Sequence, residues 1–121
     1  MGLDQTAYKR KVEWADNYKT KITTDNELMT WRKHNRLQGW FENRESGDIN
    51  CRDLYLSLDD ILQLERDVEH NNLPATTGFF FGNDSYDEKG NNLYEEQDKE
   101  FIRLAKKAID EGFDIVYNCW Y

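Results

Sequence analysis

The side chains best suited to chemistry lie close together in one stretch, Glu27 to Phe41. Trp31, Arg32, His34, Asn35, Arg36 and Gln38 share eight consecutive positions. A Trp beside a His, an Asn and a Gln can stack on a flat ring and hydrogen-bond its edge. Arg32 and Arg36 would add cations for phosphate, because a guanidinium meets phosphate oxygens as a bidentate fork. The chemistry implied is recognition rather than reaction. Phe80 and Tyr86, further along the chain, complete the candidate ligand-binding set. The plainer alternative is a partly buried Trp31 with solvated neighbours.

Signals for catalysis or metal binding are weak. His34 and His70 are the only histidines, and neither an HxxxH nor an HExxH pattern occurs. A metal site needs clustered ligands at short spacing, so no metal or other cofactor is expected. Cys51 with His34 could form a nucleophile pair, but nothing local marks Cys51 as activated. Its place on an alternating segment favours a buried, inert thiol. The chain has no P-loop, GxGxxG or GxSxG motif. An enzyme using His34 as acid/base on a nucleotide is a third reading, and the sequence leans against it.

The elements that must position these residues follow from periodicity. Glu27–Phe41 reads as one helix, capped by Asp25 or Asn26. Met29, Lys33, Leu37, Trp40 and Phe41 would form its apolar stripe, and Trp31, His34, Asn35 and Gln38 its other face. Leu3–Lys11 reads as a short strand. Val12–Thr24 permits a helical turn or an irregular extended end. Ile49–Leu56 alternates as a strand. Ser57 caps a helix from Leu58 to about His70, with Asp60 completing a capping box. A third helix spans Leu93–Glu111, ends at Gly112, and leads into a strand over Phe113–Tyr121. Phe79–Phe81 between Gly78 and Gly82 reads as a short strand. Phe79 and Phe81 share one face and Phe80 takes the other, so the strand is either covered on both faces or lays a ring over a ligand. The expected architecture is α+β: one domain over residues 1–121, with a small mixed or antiparallel sheet packed against about three helices.

Composition bounds what such a domain does. Of the 121 residues, 38 % are hydrophobic, and four Trp, seven Tyr and six Phe make the expected core aromatic-heavy. The net charge of −8 is unevenly placed. Residues 1–36 carry eight Lys/Arg against five Asp/Glu, a net of +3, whereas residues 37–121 carry eight against nineteen, a net of −11. Acidity of this kind repels phosphate backbones, which argues against direct nucleic-acid binding. It suits docking on a basic protein, or simply solubility. No apolar run reaches membrane-spanning length and the first residues are polar, so no membrane association or leader is expected.

A resemblance covers most of the chain. Trp31-Arg32-Lys33-x-Asn35 followed by Trp40-Phe41 is similar to a family of small phage and prophage proteins of unknown function. So are Leu73-Pro74, Gly78-Phe79-Phe80-Phe81-Gly82, Tyr86-Asp87 and the ending from Tyr117 to Trp120. The resemblance implies a phage accessory protein acting in the host bacterial cytoplasm, and implies no activity. The recognition side chains and the charge asymmetry, rather than the resemblance, support two expectations. One is a counter-defence protein that sequesters a small nucleotide-like host ligand. The other is an acidic inhibitor that docks on a basic host protein. Self-association is left open.

Overall fold

The computed structural model describes residues 2–45, 48–75 and 84–121. The described chain runs β1 (Asp4–Ala15), β2 (Thr20–Arg32), α1 (Asn35–Glu45), β3 (Leu54–Leu56), α2 (Leu58–Glu69), α3 (Glu95–Asp110) and β4 (Asp114–Trp120). The strands form one antiparallel sheet in the order β2-β1-β4-β3. This is the expected small α+β fold, and its sheet is wholly antiparallel.

The elements with strong local signals form where the sequence places them. Ser57 caps α2: its hydroxyl accepts from the Asp60 amide, and the Asp60 carboxylate accepts from the Ser57 amide. Gly112, with φ of 91°, ends α3. Its amide donates to Ile109 O and that of Phe113 to Ala108 O, at 3.0 and 2.9 Å, the paired closure that a left-handed residue permits. In β4, Ile115, Tyr117 and Cys119 point into the core, as their alternation requires.

The long helix expected from Glu27 is corrected. Residues up to Arg32 belong to β2, and only Asn35–Glu45 is helical. β2 pairs with β1 along its whole length, from Asp4↔Arg32 to Ala15↔Thr20. A bulge falls where Ala7 pairs with Met29 and Tyr8 with Glu27, leaving Leu28 without an opposite residue. Lys33, at φ of 59°, turns the chain from β2 into α1. Val12–Thr24 is the outer half of this hairpin: the helical turn that its spacing permits does not form, and the extended end expected at Ile22–Thr24 is part of β2. The hairpin tip carries Asp16, Asn17 and Tyr18 at positive φ. The strand expected over Ile49–Leu56 shortens to Leu54–Leu56. Cys51, expected to be buried, lies in a turn at φ of 60° and is exposed. The strand expected over Phe79–Phe81 lies outside the described residues.

Register divides the sheet into two faces. Gln5, Ala7, Trp31, Ile115, Tyr117, Cys119, Leu54 and Leu56 are buried on one. There Tyr117 stacks on Phe41 of α1 at 3.8 Å, and Trp31 meets Phe101 of α3 edge-on at 5.2 Å. Each such buried ring is worth roughly 1.5–3 kcal/mol of transfer free energy. The opposite face carries Asp4, Tyr8, Arg10, Val12, Trp14, Tyr55 and Trp120. Trp14, Tyr55 and Trp120 are exposed there, as suits an antiparallel sheet with one wet face.

Candidate functional site

The residues expected on one helical recognition face are divided among three places. Trp31 is on β2 and 3 % exposed, and His34 is fully buried in the turn before α1. Both converge on Asp98, a buried carboxylate of α3 that sequence reasoning missed. Trp31 Nε1 donates to Asp98 Oδ1 at 3.0 Å, and Asn92 Nδ2 to Oδ2 at 2.7 Å. His34 Nε2 lies 2.8 Å from the same Oδ2, where an N–H on that nitrogen donates. Tyr94 stacks on the His34 ring at 4.5 Å. Buried polar groups cost heavily unless paired, and this cluster pairs four of them.

His34 Nδ1 has no hydrogen-bond partner among the described residues. A His–Asp pair with a free ring nitrogen is half of a general-base arrangement. Here the ring is sealed from solvent, and none of the clefts described below is lined by it.

Gln38 and Asn35 are also buried on α1. Gln38 belongs to a chain of polar contacts through the core. Gln5 Nε2 donates to Tyr117 Oη at 3.0 Å, Tyr117 Oη to Gln38 Oε1 at 2.6 Å, and Gln38 Nε2 to Cys119 Sγ at 3.3 Å. Gln5 also pairs with both the amide and the carbonyl of His34, at 2.9 and 3.0 Å. Burial pushes the Tyr117 hydroxyl well up and the Cys119 thiol up to about 11. Both therefore stay protonated and serve as hydrogen-bonding groups rather than nucleophiles.

Arg36 and Tyr86 meet as a structural staple. The Arg36 guanidinium grips Asp84 at 2.8 and 2.9 Å, donates to Leu73 O at 3.0 Å, and lies 4.1 Å over the Tyr86 ring. The Leu73 amide in turn donates to Tyr86 Oη at 3.2 Å. Hydrogen bonding from Arg36 holds the Asp84 carboxyl down to about 2. An arginine engaged in this way has its fork occupied, so Arg36 offers little to an incoming phosphate. Phe80 lies outside the described residues.

Among the described members of the expected set, Arg32 alone stands open. Its side chain is 71 % exposed, and its nearest acid, Asp4, is 3.9 Å away, a separation at which an exposed pair contributes little. Pairing of Asp4 with both Arg32 and Trp120 sets these three in one row across β2, β1 and β4. Trp120 is 66 % exposed. With Gly2 and Tyr121 they line a cleft of about 300 Å³. Gly2 is tight against Lys33: a Cβ there would meet its Cε at 3.0 Å, so the bare backbone lets the Lys33 side chain pass beside this residue of the cleft wall. A larger cleft, about 480 Å³, lies between α1 and α2. Its main charges are already joined, Arg44 to Asp60 at 2.6 Å and Trp40 Nε1 to Asp67 at 2.8 Å.

Among the described residues, no three His, Cys, Asp or Glu side chains gather as a metal would require, and no helix is long and apolar enough to cross a membrane. Comparison with protein-family models, with curated proteins and with solved structures finds no match to this chain.

Proposed function

We propose that the protein is a small binding protein that captures a nucleotide-like ligand at the Arg32–Asp4–Trp120 row. The observation that carries this reading is the exposed Trp120 ring standing in register with a weakly engaged guanidinium. Trp120 supplies a stacking surface for a base. Arg32, with Lys33 passing beside Gly2, supplies charge for a phosphate. Asp4 between them can accept hydrogen bonds from the amino edge of a base. Among the described residues the side chains lining the cleft are Asp4, Arg32, Trp120 and Tyr121, a set suited to holding a ligand. In the setting implied by the resemblance to small phage proteins, the ligand would be a host signal and the role counter-defence in the bacterial cytoplasm.

The test is retention. Purified protein is mixed with a bacterial small-molecule extract, washed and denatured, and the released compounds are identified by mass spectrometry. The wild type is expected to release an intact nucleotide-like compound, and Arg32→Ala and Trp120→Ala to release at least about tenfold less, each having lost a contact worth more than about 1.4 kcal/mol. Retention by both variants would move the site elsewhere. If the wild type retains nothing, docking of the acidic surface on a basic host protein becomes the better reading.

A further inference from the structure

The two edges of the sheet are treated differently. One edge is β3, three residues long, too short to template another strand. The other is β2, thirteen residues long. An exposed strand of that length is a ready pairing surface unless something covers it.

The end of β2 nearest α1 is covered. The Lys33 amide donates to Leu3 O at 2.8 Å, so this residue turns its backbone groups toward β1. By alternation, Thr30 and Arg32 turn theirs outward. Their carbonyls are taken up by Gln97 Nε2 at 3.0 Å and Tyr94 Oη at 2.6 Å, both from the start of α3. From Thr20 to Leu28 no such cover exists among the described residues, and Thr20–Glu27 is exposed throughout.

The uncovered segment is self-complementary. Its midpoint is Thr24. An antiparallel copy related by a two-fold axis through Thr24 places Lys21 opposite Glu27 of the second copy, and Glu27 opposite its Lys21. Ile22 falls opposite Asn26, and Thr20 opposite Leu28. A two-fold axis through a residue sets donors against acceptors whichever way that residue's amide points. Directly opposed unlike charges stabilise such a pair, and like charges oppose it. Neither Lys21 nor Glu27 has an ion-pair partner within its own chain among the described residues.

We infer that β2 is a dimerisation edge: two copies of this chain pair antiparallel over Thr20–Leu28 and join their sheets into one of eight strands. The isologous symmetry closes the assembly at two. It also supplies the third strand that the outer hairpin lacks, since β1 pairs with β4 only up to Arg10. The inference stands apart from the ligand reading.

A charge swap tests it. Lys21 and Glu27 are six residues apart on one strand, about 20 Å, beyond the range at which exposed charges interact at ordinary salt. Within one chain, then, the two substitutions cannot compensate each other; across the two-fold they can. The full chain is measured by sedimentation equilibrium. The wild type is expected to dimerise, Lys21→Glu to weaken the dimer at least about tenfold by opposing like charges at two symmetric positions, and Lys21→Glu/Glu27→Lys to restore it. Amide exchange at Thr20–Leu28 should slow with rising concentration in the wild type and in the double variant. Because both side chains are exposed, all variants should keep the wild-type circular dichroism, which is checked first. A wild type that stays monomeric at the highest concentration reached would overturn the inference. So would a dimer indifferent to Lys21→Glu, or a double variant no better than the single one.

Discussion

Trp31 and Trp14 stand on the same hairpin and meet opposite fates. Trp31 is 3 % exposed, edge-on to Phe101, with its N–H on Asp98; Trp14 is 54 % exposed, with the ring of Tyr18 at its side. Residue type does not separate them, and both are paired in the β1·β2 ladder, but register puts them on opposite faces of the sheet, Trp31 with Gln5 and Cys119 and Trp14 with Arg10 and Val12. The third layer differs as well. The inner half of the hairpin lies under α3 and beside β4, which bring Phe101, Asp98 and Tyr117. Among the described residues the outer half has only its own two strands, and Trp14 is on the face away from α3. The fate of an aromatic side chain on this hairpin is thus decided by the face its register gives it and by what packs there.

The sharpest way to break the buried half is Asp98→Ala. It leaves Trp31 Nε1, Asn92 Nδ2 and the His34 ring without their acceptor in a sealed site. A loss of about 3–5 kcal/mol is expected in urea unfolding, because each buried donor left without an acceptor costs about 1–3 kcal/mol. A loss below about 1 kcal/mol would mean that water reaches the cluster.

Next comes the direct contrast. Trp31→Ala should cost about 3–5 kcal/mol through cavity formation. Trp14→Ala should stay within about 0.5 kcal/mol, measured at a concentration where the chain is monomeric. This replaces the expectation that Trp31 lines a recognition face. Equal losses at both positions would show the outer hairpin to be packed against something in solution.

The smallest expected effect is in acid and concerns a third, half-exposed kind of contact. Asp84 titrates near 2 when folded against an ordinary value of 3.8, because Arg36 bonds its charged form. A depressed carboxylate adds stability that is present above pH 3.8 and fades as pH falls toward 2. The Asp84 side chain is 47 % exposed, so solvent screens the pair and the effect on unfolding is slight. The shift itself is measurable: Arg36→Ala should raise the midpoint of the Asp84 carboxyl resonance toward 3.8 in an NMR pH titration. A midpoint that stays near 2 would assign the shift to the backbone amide of Tyr86 instead.

What was legible in the sequence follows from how local each signal is. The Ser57–Asp60 box, the Gly112 stop and the alternation of β4 concern residues within a few positions of each other, and all three formed. The inner half of β2 was misread because Glu27, Leu28 and Met29 favour helix, and the bulge at Leu28 breaks the two-residue period that would have marked a strand. Only pairing with β1, distant in the chain, overrides that preference. Of the expected site, Arg32 kept its open position. Trp31, His34, Asn35 and Gln38 became interior groups, and Arg36 and Tyr86 became a staple. Asp98 left one trace that was not used. It sits one turn before Phe101 and Ile102 on the buried stripe of α3, and a carboxylate on an apolar stripe needs polar partners nearby. Trp120 left none, because alternation shows which way a ring points but not whether another layer covers it.

The cluster around Asp98 also constrains the order in which the chain assembles. Its contacts to Trp31 and His34 span 67 and 64 residues, so their formation carries the entropy of closing long loops. The β1·β2 hairpin closes over a four-residue turn and can form early. Until α3 arrives, however, Trp31 and His34 must keep their polar groups on water. β4, which follows α3 directly, then enters the sheet between β1 and β3. Docking of α3 and insertion of β4 are therefore coupled, and together they form the late, non-local step on which folding speed depends.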